Sequence, residues 1–141
     1  MARRKVKRAP KVPVFIWVLL GALVLAALYR FAIVPASGGD HPEPRPGLTN
    51  TIMASERFAQ APYVARVYKM AAAVPGLLDG LYCYCQCSKH AGHRSLLTCF
   101  ETEHGASCNV CMDEVVVAYT MSQNGSSLQQ IRDAIDARYG T

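Results

Sequence analysis

All six cysteines and three of the four histidines of this 141-residue chain fall within residues 83–111. They stand as Cys83-Tyr84-Cys85-Gln86-Cys87, His90, His93, Cys99, His104 and Cys108-Asn109-Val110-Cys111. Within residues 77–110 only 95–100 reads as helical, and the rest is short, polar and punctuated by glycine, so apolar periodicity gives it no single conformation. Sulfur chemistry must organise this stretch, and it can do so by metal ligation, by disulfides or as a redox dithiol.

The remaining residues divide into two unlike pieces. Residues 1–35 hold seven of the 15 basic residues and none of the ten acidic ones, so residues 36–141 carry a net 8 − 10 = −2. The sequence pI of about 9.0 therefore belongs to the N-terminal piece. A weakly acidic body has no basic face for a phosphate backbone, which removes nucleic acid as a partner. About 100 residues remain for the folded part and no repeat of 20–50 residues recurs in it, so one small module is expected.

Eighteen consecutive uncharged residues, 12–29, precede Arg30, and apolar character resumes at 31–34. Such a run predicts a transmembrane anchor over 12–35, with Arg30 near enough to its end to snorkel. Arg3, Arg4, Lys5, Lys7, Arg8 and Lys11 stand ahead of it and only Arg45 soon after, which predicts a cytoplasmic basic tail at 1–11 and an extracytoplasmic C-terminal module. The expected location is the cytoplasmic membrane, crossed once, with room for a protein partner in the envelope. A cleavable signal peptide is the alternative, but its apolar region is usually shorter and only Val34-Pro35-Ala36 resembles a cleavage site. Lipoprotein processing is excluded, because the first cysteine is Cys83.

Residues 36–53 read as a linker rich in proline and glycine, in which His41 is expected to be solvated. The module at 54–141 is predicted to be mainly α. Val64, Val67, Tyr68 and Ala71 form one apolar stripe behind Pro62, and Pro75 ends the run. Residues 111–123 form a second helix, with Asp113 and Glu114 near its start and Asn124-Gly125 at its stop. Ser126-Ser127-Leu128-Gln129 reads as a capping box for a third, which presents Leu128, Ile131 and Ile135 on one face. Asn124-Gly125-Ser126 also matches a glycosylation acceptor, although a helix end explains it more simply.

For the cysteine-rich middle, metal binding has a geometric basis. In an extended stretch Cys83, Cys85 and Cys87 present their sulfurs to one face, with Tyr84 and Gln86 turned away. Flat strand spacing separates those sulfurs by roughly 6.5 to 7 Å, whereas two sulfurs on one tetrahedral zinc lie about 3.8 Å apart. The stretch must therefore curl round one ion, or its sulfurs must serve more than one. Cys108 and Cys111 have the spacing that folds back on a single metal at a helix start. With Cys99 and His93 these residues form the candidate ligand set; His90 and His104 rank below it as ordinary loop histidines. Soft thiolates select Zn(II) or Cu(I) over Mg(II) or Ca(II).

Two alternatives stay open. An even cysteine count in an exported module suits a disulfide framework, in which the strain of Cys-x-Cys bridges directs Cys83, Cys85 and Cys87 outward to Cys99, Cys108 and Cys111. Cys108-x2-Cys111 also suits a thiol–disulfide redox protein, though no thioredoxin-like strand precedes it. There is no C-x-x-C-H for covalent haem, no G-x-S-x-G, no phosphate loop and no H-E-x-x-H. A binding role rather than an enzymatic one is expected.

Tyr82-Cys83-Tyr84-Cys85-Gln86-Cys87, Gly92-His93-Arg94-Ser95-Leu96-Leu97-Thr98-Cys99-Phe100, His104 with Cys108-x2-Cys111, and Ile131-Arg132-x3-Asp136-x2-Tyr139 together resemble the bacterial PCYCGC-motif family, also called CYCXC (seleno)proteins. The resemblance spans about residues 71–140. Tyr82 stands where the motif has Pro, and Gln86 where it has Gly. The resemblance implies an envelope-anchored cysteine module with soft-metal or redox chemistry and no assigned mechanism.

Overall fold

The computed structural model describes residues 13–33 and 40–140. These form two separate units, divided at Pro35 and Ala36. Among the described residues the chain is mainly helical, with no strand.

The first unit contributes α1, Val14–Ile33. Its apolar side chains from Phe15 to Leu25 are exposed. Among the described residues no helix is long and apolar enough to cross a membrane. This corrects the expectation of a single-pass anchor over 12–35, and with it the cytoplasmic-membrane location and the topology. The reason lies in where the helix begins and what interrupts it. Of the expected 12–35, α1 covers 14–33 and has Arg30 within it. The basic tail 1–11 and the Val34-Pro35-Ala36 site lie outside the described residues, as does the start of the linker.

The second unit is built on α2 (Pro62–Ala73), α6 (Asn109–Gln123) and α7 (Leu128–Tyr139). In α2 the expected stripe buries Val67, Tyr68 and Ala71, and Pro62 occupies the first turn, where a missing N–H costs nothing. Helix α6 starts two residues before the expected boundary, with Cys108 in extended conformation as its N-cap, and buries Cys111, Met112, Glu114, Val115 and Ala118. Gly125, at φ +79°, makes the left-handed turn after it. The capping box of α7 sits one residue later than expected. Ser127 Oγ accepts from Gln130 N–H, and Gln130 Oε1 accepts from Ser127 N–H at 2.8 Å. A Phe58–Tyr68–Phe100 cluster, with centroids 4.3 and 5.0 Å apart, fills the core beneath α2.

Short elements connect α2 to α6: α3 (Pro75–Asp79), α4 (Cys87–His90), α5 (Leu96–Phe100) and a 3-10 turn at Glu103–Ser107. Residues 40–53 run along this region rather than away from it, with Leu48, Ile52 and Met53 packed on the core. Their anchor is Asp79, whose side chain is fully buried. Its carboxylate accepts from Arg45 N–H and from the Arg45 and Arg94 guanidinium groups at 2.7–3.1 Å, and from Ser95 Oγ at 3.2 Å. One buried carboxylate thus ties the strap, the end of α3 and the start of α5 together.

Candidate metal centre

The segment after Leu81 does not stay extended. Gln86 N–H donates to the Cys83 carbonyl at 3.1 Å, closing a tight turn, and Gln86 itself takes φ +59° before α4 begins at Cys87. That left-handed position favours glycine, the residue the motif carries there. The curl draws the sulfurs together. Cys83 Sγ lies 3.2 Å from Cys85 Sγ and 3.3 Å from Cys111 Sγ, and Cys111 lies 3.4 Å from Cys85. Cys99, delivered by α5, reaches Cys83 at 3.6 Å. Helix α6 supplies Cys111 from its first turn, so three separate elements converge on one point.

Cys83, Cys85, Cys87, Cys99 and Cys111 have all five sulfurs within 4.8 Å of one another, and a second group, Cys87, His93, Cys99 and His104, meets the same limit. In that group His93 Nδ1 is 3.1 Å from Cys99 Sγ and His104 Nε2 is 3.0 Å from Cys87 Sγ. The two imidazoles meet edge to face at 4.7 Å. Of the expected residues, Cys108 joins neither group; as the α6 N-cap it stands a turn behind Cys111. His90 is exposed and also joins neither. His104, ranked low on sequence, is brought in by the 3-10 turn, where Thr102 Oγ1 accepts from its backbone N–H. Hydrophobic pattern carries no sign of that turn.

Cys85 and Cys87 are joined as a disulfide, while Cys83, Cys99, Cys108 and Cys111 are free. The outward pairing expected from the strain of Cys-x-Cys bridges is therefore not adopted. The left-handed Gln86 brings neighbouring alternate cysteines face to face, which an extended strand cannot do.

Electrostatics favour one thiolate at the centre. Hydrogen bonds from Cys111 and from Cys99 hold the Cys83 thiol well below its ordinary range, against the opposing effect of burial. Cys111 is pushed up by donating to Cys83, then to Cys99, and by burial. Beside them Glu114 is fully buried, with Oε1 accepting from Tyr84 N–H at 2.8 Å and Oε2 unpartnered. Burial, reinforced by the nearby Cys83 charge, raises the Glu114 carboxyl to about 10. It stays neutral at physiological pH and adds no charge to the sulfur cluster. Burial, followed by the nearby His104 charge, lowers His93 and leaves its ring free to ligate.

The side chains between the cysteines also matter. Tyr84 turns away from the sulfurs, packs on Tyr82 and Tyr139, and donates to Asp136 of α7. His41, expected to be solvated, is inserted here instead, its side chain only 8% exposed. Its Nδ1 accepts from Tyr82 N–H at 2.9 Å, which puts the ring proton on Nε2, 2.7 Å from Asp136 Oδ1. A family model described as a protein of unknown function with PCYCGC motif matches residues 56–141. The chain belongs to the PCYCGC-motif family. Tyr82–Cys87 is this chain's form of the family motif, and the site is built around it. No curated protein and no solved structure matches the chain.

Proposed function

We propose that this PCYCGC-family chain is a binding module for a soft transition metal, Zn(II) or Cu(I), rather than an enzyme. The sulfur triangle of Cys83, Cys85 and Cys111, with Cys99 3.6 Å from Cys83, carries the reading. Four thiolates on one tetrahedral ion at about 2.3 Å bonds are about 3.8 Å apart. Once a thiol reductant has opened the Cys85–Cys87 bridge, itself becoming a disulfide and leaving two free thiols, small outward movements convert this packing into a ligand shell. The donors are soft, mostly buried, and come from three elements, which suits a closed site.

When bound, a soft cation supplies the positive charge that lets several buried thiolates coexist. The chain's own residues do the rest. Cys83 enters as a thiolate, Cys99 and Cys111 release their protons on ligation, and neutral Glu114 keeps uncompensated charge away from the shell. Leu78, Leu81, Leu96 and Phe100 pack in the same core as the sulfurs and exclude water.

The Cys85–Cys87 bridge supports a second reading, thiol–disulfide exchange, and moves it from Cys108-x2-Cys111 to the motif itself. The two readings separate by native mass of the full chain after phosphine reduction, in excess Zn(II) or Cu(I) and again with chelator. Metal binding predicts a chelator-sensitive mass increase at equilibrium. A folded, reduced, metal-free protein under those conditions overturns it in favour of exchange chemistry.

A further inference from the structure

We infer that the site holds two metal ions that share the sulfur of Cys99, a reading that rests on the soft-metal function proposed above. Seven donors converge here: five sulfurs and two imidazoles, in two groups that overlap at Cys87 and Cys99. Two separate tetrahedral ions need eight donors, and two sharing one donor need 4 + 4 − 1 = 7. The contacts say which donor is shared. Cys99 touches both sides, at 3.6 Å to Cys83 and 3.1 Å to His93 Nδ1. Cys87 points to His104 at 3.0 Å, and its close contact on the inner side is the bond to Cys85, which is gone once the site is reduced. The inner ion therefore takes Cys83, Cys85, Cys99 and Cys111, and the outer ion takes Cys87, Cys99, His93 and His104.

Charge selects the class of ion. Five thiolates with two divalent ions leave −5 + 4 = −1, whereas two monovalent ions leave −5 + 2 = −3. Cys87, Cys99 and Cys111 are fully buried and Cys83 is 4% exposed, so the smaller residual charge costs far less to bury. The pair is thus Zn(II)-like. The outer site, with both histidines partly exposed, is the one open to exchange. Because the Cys85–Cys87 bridge joins one inner donor to one outer donor, both sites fill only when it is reduced. A thiol reductant supplies the two electrons and two protons, is itself oxidised to a disulfide, and leaves Cys85 and Cys87 as free thiols.

The test is the phosphine-reduced full chain loaded with 113Cd(II), read by native mass and by 113Cd NMR. Two ions per chain are expected, giving two resonances, one from a four-sulfur shell and one from a mixed shell, split by scalar coupling through the shared sulfur. His104→Ala is expected to reduce the count to one and to remove the mixed-shell resonance, while His90→Ala and Cys108→Ser keep two. A single ion overturns the inference and leaves the single-site function standing. Two uncoupled ions overturn the sharing at Cys99, and no ion at all overturns both readings. The wild-type spectrum decides the matter even if a variant fails to fold.

Discussion

Helix α7 and the turn at 83–87 touch through Tyr84 and Asp136, yet each keeps its shape for a different reason. The helix follows from local rules: a Ser127/Gln130 capping box opens it, and Ile131 and Ile135 bury one face. The turn follows none of them. It has a left-handed glutamine and its buried groups are sulfurs, so its conformation depends on what those sulfurs do. Apolar burial can hold a helix whatever the solution contains, whereas a crowd of thiols is stable only once protonated, oxidised or ligated. The frame of α2, α6 and α7 should therefore tolerate changes that reorganise the middle.

The largest effect expected is from metal removal. Stripping a loaded, reduced sample with chelator should lower its stability by several kcal/mol, as for closed thiolate sites. Hydrogen exchange should lose protection across 83–107 while α2 and α7 retain theirs. Uniform loss of protection would break the distinction between frame and middle.

Next is the apolar core through which the middle packs on the frame. Phe100→Ala removes a fully buried ring from the cluster with Tyr68 and should cost about 3–5 kcal/mol. The chain that remains folded should still bind metal, because the ring carries no donor. Thermal unfolding with metal counting checks both points.

Asp79→Asn comes third. It removes the charge that ties Arg45 and Arg94 to the core, at about 2–3 kcal/mol, below the usual loss for a broken buried pair because both arginines reach solvent. Burial works to raise this carboxyl, but the Arg45 hydrogen bonds, with the Arg45 and Arg94 charges, outweigh it and hold it below its ordinary range. A depressed folded value means the stabilisation is present above about pH 4 and is lost as pH falls through the folded value. Stability of the wild type should drop in acid by this route, and Asp79→Asn should flatten that part of the profile.

The smallest effect should come from Gln86→Gly, which restores the motif residue at φ +59°. Relief of the left-handed conformation, of order 1–2 kcal/mol, is partly offset by the greater freedom of glycine in the unfolded chain. A net gain of about 0.5–1 kcal/mol in the denaturation midpoint is expected, and a loss would mean that the Gln86 side chain contributes more than its backbone costs.

How much of this was legible in the sequence depended on whether the cause was local. The stripe through Val64, Val67, Tyr68 and Ala71 is a local pattern, and α2 forms on it. The density of cysteines marked the site, and the spacing argument called for a curl round one ion or for more than one ion, of which Gln86 provides the curl. The position of His41 had no local signal: proline neighbours suggest an extended, solvated spacer, while its partner Asp136 lies 95 residues away. Arg45 and Asp79 were hidden in the same way. Cys108 was placed in the candidate set because its spacing to Cys111 fits a chelate; as N-cap it sits where the backbone is still extended, outside the sulfur cluster. His104 ranked low because a 3-10 turn, not a periodic element, brings it to Cys87. Residues 12–35 misled because a long uncharged run suggests a span, whereas among the described residues no helix is long and apolar enough to cross a membrane.

The most direct measurement of the central claim is X-ray absorption at the zinc edge on the full chain after phosphine reduction and loading. Sulfur at about 2.3 Å is predicted to dominate the first shell, with an average of three sulfurs and one nitrogen per ion, the mean of a four-sulfur and a two-sulfur, two-nitrogen site. A shell made only of nitrogen and oxygen at about 2.0–2.1 Å would contradict it, because the thiolates of Cys83, Cys85, Cys99 and Cys111 would then not be holding the metal.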